Sequence, residues 1–161
     1  MLGPMSTRSV VNTSRRSAPV GSAPVSDDPS AEHVPCPCGL PAGYDACCGR
    51  IHRGEAQAVT AEALMRSRYS AFAVGDAGYL ARSWHPDTRP RTIRDDPARR
   101  WTGLTILATS GGGMLDQDGI VEFEAHHTGG SDDPPGVDHV VHERSTFTRV
   151  DGRWVYVGRL D

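Results

Sequence analysis

The chain has 161 residues, of which 37% are hydrophobic, enough for one core domain with appendages. Its net charge of −3 and its isoelectric point near 6.1 exclude a general electrostatic attraction to nucleic acid. No apolar run approaches the ~20 residues of a membrane-spanning helix, and all 17 basic residues are arginine.

Residues 1–33 are predicted to form a disordered tail. They are rich in Ser, Pro, Ala, Gly and Val, and no acidic residue precedes Asp27. Such a segment cannot bury enough apolar surface to offset its chain entropy. An arginine-rich start also suits an organellar transit peptide, but Pro4, Pro19 and Pro24 and the missing amphipathic stripe disfavour that interpretation. No apolar segment typical of a secretory signal is present in the tail, so we expect a cytoplasmic protein.

All four cysteines of the chain lie within thirteen residues, at Cys36, Cys38, Cys47 and Cys48. Thiolates at this density can hold one tetrahedral zinc ion, form two disulfides or act as a redox-active thiol pair. Vicinal Cys47 and Cys48 are hard to bridge to each other, and a reducing cytoplasm also disfavours disulfides. We therefore predict a zinc-binding knuckle over residues 34–52. His52 could replace one thiol, but four cysteines already saturate a tetrahedral site.

Two helices are predicted after a connector over residues 50–59. Thr60 is a suitable N-cap, and apolar residues recur at spacings of three and four as far as Phe72. Gly75 is a natural C-terminal cap. Asp76 then caps a second helix, which Pro86 ends.

Four strands are predicted after a proline-rich and charged loop over residues 87–100. They cover residues 101–109, 120–128, 137–150 and 153–158. Asp151-Gly152 between the last two is the signature of a two-residue type I′ hairpin. Helices followed by an antiparallel meander predict an α+β fold, with the sheet curling over the two helices.

The cysteine segment resembles the zinc motif at the C-terminus of the SecA translocation ATPase. The shared residues are Cys36-Pro37-Cys38-Gly39, Tyr44 and Cys47-Cys48-Gly49. Leu40-Pro41-Ala42-Gly43 replaces the basic residues through which that tail binds its chaperone. The resemblance therefore implies the metal site but not the partner.

A longer resemblance, over roughly residues 35–158, is to the bacterial YchJ family. It rests on several motifs in one order, namely residues 60–72, Tyr79-Leu80, Trp84-His85-Pro86, Thr88-Arg89-Pro90, Arg100-Trp101, residues 142–147 and residues 152–154. The resemblance implies a zinc motif fused to a cone-like α+β domain of the nuclear-transport-factor-2 or ketosteroid-isomerase type, here residues 53–161. It implies no biochemical activity.

Periodicity predicts two opposite charges inside this cone. Arg68 lies on the apolar stripe of the first helix, and Glu143 shares a strand face with Phe147. An isolated buried charge is costly, so we predict a direct Arg68–Glu143 ion pair, either structural or part of a functional pocket. The pocket candidates are Arg68, Trp84, His85, Trp101 and Glu143.

Three classes of function remain open. In the first, the chain is a zinc-stabilised interaction module whose knuckle binds a protein partner, while the cone is a scaffold or binds a small polar ligand. In the second, it is an isomerase, dehydratase or hydrolase with Glu143, His85 and Arg68 as catalytic candidates. In the third, the knuckle binds nucleic acid, which the acidic isoelectric point and the lack of basic residues between Cys38 and Cys47 disfavour.

Overall fold

The computed structural model describes residues 34–160. The elements are a 3₁₀ helix Tyr44–Ala46, helices α1 (Cys48–His52), α2 (Ala61–Val74) and α3 (Ala77–Arg82), and strands β1 (Arg100–Gly111), β2 (Asp118–Thr128), β3 (Asp138–Val150) and β4 (Arg153–Leu160). The predicted tail, residues 1–33, lies outside the described residues. Within residues 34–160, none of the helices has the length and apolarity that crossing a bilayer requires. The α+β prediction is confirmed.

Both predicted helices begin at their predicted caps, and α2 also ends at its own, whereas α3 ends at Arg82, before the predicted stop at Pro86. The Thr60 side chain accepts a hydrogen bond from the Ala63 amide at 3.0 Å, and Gly75 ends α2 with a left-handed φ of 76°. The Asp76 carboxylate accepts from the Tyr79 amide at 2.8 Å and caps α3. Local side-chain and backbone chemistry thus sets both ends of α2 and the start of α3.

The four strands form one antiparallel sheet in the order β1-β2-β3-β4. The turn between β3 and β4 has positive φ at both central residues, 50° at Asp151 and 76° at Gly152, as a type I′ turn requires. Two register shifts in β1 and one between Thr146 and Phe147 mark irregularities that bend and twist the strands. The sheet is curved and open.

The main core lies between the helices and the inner face of the sheet. Along β2, Val121, Phe123 and Ala125 are buried and alternate with more exposed neighbours, as their spacing predicts. Leu64 and Tyr69 of α2 belong to the same hydrophobic cluster. The apolar face of the helices therefore packs against the apolar inner face of the sheet.

The start of α2 is attached to both ends of the sheet. The Ala61 amide donates to the Gly112 carbonyl at 2.8 Å, and the Trp154 indole N–H donates to the Val59 carbonyl at 3.2 Å. A Cβ added at Gly112 would lie 2.7 Å from the Ala61 Cβ, so glycine permits this approach. These contacts attach the start of the cone to the residue that follows β1 and to β4.

One element was absent from the sequence prediction. The connector predicted over residues 50–59 begins within α1, a five-residue helix that ends at His52. So short a helix has little stability alone and depends on tertiary contacts that periodicity does not reveal. The rest of the connector is irregular up to Thr60.

Candidate metal centre and cone interior

The four cysteine sulfurs converge on one point. Their Sγ atoms all lie within 4.8 Å of one another, and Cys38 Sγ lies 3.6 Å from Cys47 Sγ. In a tetrahedral site with Zn–S bonds of about 2.3 Å, the sulfurs are about 3.8 Å apart. All four thiols are free, and three of them are buried. The cluster therefore fits a single metal ion, and the predicted ligand set is brought together.

Backbone turns place the first two thiols. The Gly39 amide donates to the Cys36 carbonyl at 3.2 Å, and Gly39 adopts a φ of 82° that favours glycine. The Cys36 amide in turn donates to the Ala42 carbonyl at 3.0 Å. The chain then returns through the 3₁₀ helix and enters α1 at Cys48, which brings the second pair of thiols to the first.

The ionisation of these thiols is strongly unequal. A hydrogen bond from Cys48 lowers the pKa of Cys38 to about 5, whereas burial raises the pKa of Cys47 to about 11. The hydrogen bond to Cys38, together with burial, raises the pKa of Cys48. A thiolate at Cys38 thus suppresses ionisation of its neighbours. A bound cation would remove this opposition, because metal ligation deprotonates thiols.

The knuckle (residues 34–52) is docked on α2 through polar contacts. The His52 Nε2–H donates to the Ser67 carbonyl at 2.8 Å, and the Tyr44 hydroxyl donates to His52 Nδ1 at 2.7 Å. Arg66 donates to the Cys38 carbonyl at 2.9 Å, and Cys36 Sγ lies 3.7 Å from Ser70 Oγ. Both nitrogens of His52 are engaged, so this residue anchors the knuckle and does not replace a thiol ligand.

The direct ion pair predicted between Arg68 and Glu143 is wrong. Arg68 is only 3% exposed, and its guanidinium donates to the Leu80 carbonyl at 3.0 Å and to Ser83 Oγ at 2.6 Å. Its central carbon lies 4.5 Å from the Tyr156 ring centroid and 4.9 Å from that of Trp84. Burial lowers the pKa of Arg68 to about 10, well above neutrality, so the charge persists.

Glu143 is on the inner face as predicted, but its partners are neutral. Its carboxylate accepts from Ser145 Oγ at 2.5 Å and from the Tyr156 hydroxyl at 3.2 Å. Tyr156 therefore contacts both Arg68 and Glu143, which do not form an ion pair within 4 Å. Alternation places a side chain on a face but does not give its depth, and this explains the error.

The remaining pocket candidates are dispersed. Trp84 packs on Arg68, whereas His85 lines a separate cavity of about 600 Å³ with Phe147 and Thr148. Trp101 stacks edge-on against Tyr69 in another cluster of aromatic rings. The sequence prediction omitted Tyr156 and Ser83. Tyr156 could have been found, because it alternates with buried Trp154 on the last strand.

The fold and the cysteine cluster define a class of protein, namely a nuclear-transport-factor-2-like α+β domain preceded by a four-cysteine motif. Residues 60–158 match the family model for the middle, NTF2-like domain of YchJ. The chain belongs to the YchJ family, as its motifs predicted.

Curated relatives support this assignment. A UPF0225 protein of Streptomyces coelicolor is 56% identical over 122 residues, which cover 76% of this chain and 91% of that protein. A UPF0225 protein of Deinococcus radiodurans is 47% identical over 123 residues, covering 76% and 86% of the two chains.

Two solved structures of proteins with a SEC-C motif share the fold. The solution structure from Rhodopseudomonas palustris has a TM-score of 0.66 and 32% identity, and the match covers 78% of this chain and 96% of that one. The crystal structure from Psychrobacter arcticus has a TM-score of 0.60 and 26% identity, covering 82% of both chains.

Proposed function

We propose that the protein is a zinc-stabilised interaction module in which the knuckle binds one structural zinc ion through Cys36, Cys38, Cys47 and Cys48. The observation that carries this proposal is the convergence of four sulfurs within 4.8 Å. Four thiolates without a fifth ligand favour zinc or an iron–sulfur centre, and a closed tetrahedral set is typical of structural zinc. The SEC-C motif of the two structural neighbours also supports a metal site. Free thiols suit the reducing cytoplasm, where we expect the protein to reside.

Metal analysis of the purified full-length protein tests the zinc proposal. We expect about one zinc per chain and no iron, because a single tetrahedral ion uses all four sulfurs. A matched variant, Ser110→Cys, adds a thiol outside the knuckle and should leave the zinc content unchanged. Less than a third of an equivalent of zinc, together with two disulfides found by mass spectrometry, would refute the proposal.

A protein partner would meet the knuckle on its exposed loop. Leu40 is 44% exposed and follows directly on Gly39, while Cys36 and Cys38 beneath it are buried. Zinc would hold this loop in one conformation, and a preorganised apolar side chain lowers the entropic cost of binding. We propose that the partner is a protein chain with a complementary apolar patch at this loop.

Site-specific photo-cross-linking in the producing cell tests the partner proposal. A photoreactive residue at position 40 should cross-link one protein, and the adduct should disappear when Cys47→Ser abolishes the metal site. Leu107 on β1 is the matched control, because it is also a leucine and is 46% exposed. Equal cross-linking from both positions, or an adduct that survives Cys47→Ser, would refute a zinc-dependent partner at the knuckle.

The cone would act as a scaffold that also accepts a small polar ligand. Tyr156 occupies the space between Arg68 and Glu143, so the centre of the cone is filled by side chains. A catalytic base requires access to its substrate, and Glu143 is engaged by Ser145 and Tyr156. Arg53, directly after the knuckle, is paired with Asp45 and Glu55, so its charge is already engaged and is not available to a nucleic acid. These contacts favour the interaction module over the enzyme and nucleic-acid alternatives.

A further inference from the structure

A concave region, distinct from the cavity at His85, lies beside the filled centre of the cone. It is a cavity of about 520 Å³ between the segment that follows the knuckle, α3 and the β3–β4 turn. Small-molecule sites in proteins commonly have volumes of about 300–1,000 Å³. The cavity is therefore large enough for a small metabolite, and its wall shows which kind.

The charged side chains on its wall are mostly cationic. Arg82, Arg89 and Arg153 line the cavity, against one carboxylate, Asp151. None of the three arginines lies within 4 Å of a carboxylate in residues 34–160, where the arginines that do so are Arg53, Arg66 and Arg144. Unpaired guanidiniums gathered around one cavity in a chain of net charge −3 indicate a local preference for anions.

Backbone carbonyls hold two of these guanidiniums in place. Arg89 donates to the Ala81 carbonyl at 3.3 Å, and Arg82 donates to the His52 carbonyl while its guanidinium stacks on the Tyr79 ring. A carbonyl fixes the orientation of an arginine but leaves its charge uncompensated. Guanidinium forks oriented in this way are suited to carboxylate or phosphate oxygens.

A fourth arginine lies directly behind the wall. Ser83 lines the cavity, and its Oγ accepts a hydrogen bond of 2.6 Å from buried Arg68. Within residues 34–160 no carboxylate lies within 4 Å of Arg68, so its charge, which Glu143 offsets only in part, adds to the positive potential of the cavity.

The rest of the wall is largely apolar. Ile51, Leu64, Trp84 and Trp154 line it. Trp154 is only 3% exposed, so the half-buried Trp84 offers the indole surface for an organic group. We infer that this cavity binds a small organic anion, whose carboxylate or phosphate contacts Arg89 and Arg153 while its apolar body packs on Trp84. The inference rests on the proposed ligand-binding function of the cone and names the class of ligand.

Titration of the zinc-loaded full chain with benzoate, phenyl phosphate and neutral benzyl alcohol tests the inference. The indole N–H signals in nitrogen-15 NMR spectra give a built-in comparison, because Trp84 and Trp154 line the cavity and Trp101 does not. We expect a saturable shift of the first two signals with at least one anion, and a much smaller shift with benzyl alcohol. Benzoate and phenyl phosphate distinguish a carboxylate from a phosphate ligand.

Variants of the exposed arginines complete the test. Arg89→Gln and Arg153→Gln should each weaken binding of the anion by about tenfold, the value of one charge-assisted hydrogen bond. Arg159→Gln is the control, since Arg159 is also exposed on β4 but does not line the cavity. Equal affinity in all variants, equal binding of benzyl alcohol, or no saturable shift would overturn the inference. The zinc content of the same samples reports separately on the proposed function.

Discussion

The knuckle and the cone are stabilised by different physical means. The cone has a cluster of twelve buried hydrophobic residues between two layers of secondary structure. The hydrophobic cluster of the knuckle consists of Cys36, Cys38 and Cys48, packed against Tyr44 and Cys47. Apolar burial contributes roughly 25 cal/mol per Å², so a cluster of this size cannot offset the chain entropy of about twenty residues. We therefore expect the cone to fold on its own core and the knuckle to depend on the proposed zinc ion.

Chelation of the proposed zinc ion should give the largest effect, and the loss of structure should be confined to the knuckle. We expect residues 34–52 to lose amide protection against hydrogen exchange, while protection of β2 and β3 persists. In zinc-finger peptides the metal supplies an apparent ~10–16 kcal/mol, far more than the knuckle's own contacts provide. Loss of protection throughout the sheet would show that the two regions fold as one cooperative unit.

Truncation of Arg68 should give the next largest effect, and it should act on the cone. Arg68→Ala removes a buried side chain between Trp84 and Tyr156, so we expect a loss of about 2–4 kcal/mol in the free energy of unfolding. Arg68→Met fills most of the space and should cost about 1 kcal/mol. Denaturant unfolding measures both values.

The same variants test the absence of a direct ion pair. Because Tyr156 contacts both side chains, Arg68→Met combined with Glu143→Gln should show a small coupling free energy of about 0.5–1 kcal/mol. Breaking a buried pair by removal of one partner costs about 3–5 kcal/mol. A loss of that size for Glu143→Gln alone would contradict the observed arrangement and restore the pair predicted from periodicity.

Removal of the His52 side chain should weaken the contact between the knuckle and the cone. His52→Ala deletes a buried hydrogen bond to Ser67 and a partly buried one to Tyr44, and should destabilise the protein by about 2–3 kcal/mol. Hydrogen exchange should localise the loss to residues 44–52. His142→Ala is the control. Among residues 34–160 the exposed His142 side chain hydrogen-bonds only Glu122, so its removal should cost less than ~0.5 kcal/mol.

Deletion of residues 1–33 should have the smallest effect. Their composition gives no amphipathic pattern that could pack on either region. We expect the zinc content and the melting temperature to remain unchanged after the deletion. A melting temperature several degrees lower would show that the tail contributes to one of the two cores.

Local signals in the sequence were sufficient for most of the fold. Thr60, Gly75 and Asp76 act at the helix ends where their cap chemistry predicted, and Asp151-Gly152 forms the predicted turn. The cysteines are also brought together as predicted. In each case the relevant partners lie within thirteen residues of one another, so spacing along the chain reports on their position in space.

The errors concern contacts between distant parts of the chain. Helix α1 was absent from the prediction because its anchor, His52, bonds a carbonyl fifteen residues away. Arg68 was assigned to the correct face but to the wrong partner, because periodicity cannot show that Tyr156 intervenes. The arginine-lined cavity draws its cations from α3, a loop and β4, and no motif connects these segments in sequence.

The hydrogen bond between Trp154 and Val59 has a consequence for biosynthesis. It spans 95 positions along the chain, whereas the four sulfur ligands span thirteen residues near the beginning. Chains emerge from the ribosome from the N-terminus at about 5–20 residues per second. All four thiols therefore leave the ribosome while the sheet is still unsynthesised. The proposed zinc ion could therefore bind several seconds before the last strand reaches α2, and zinc supply during translation would then act before the cone is complete.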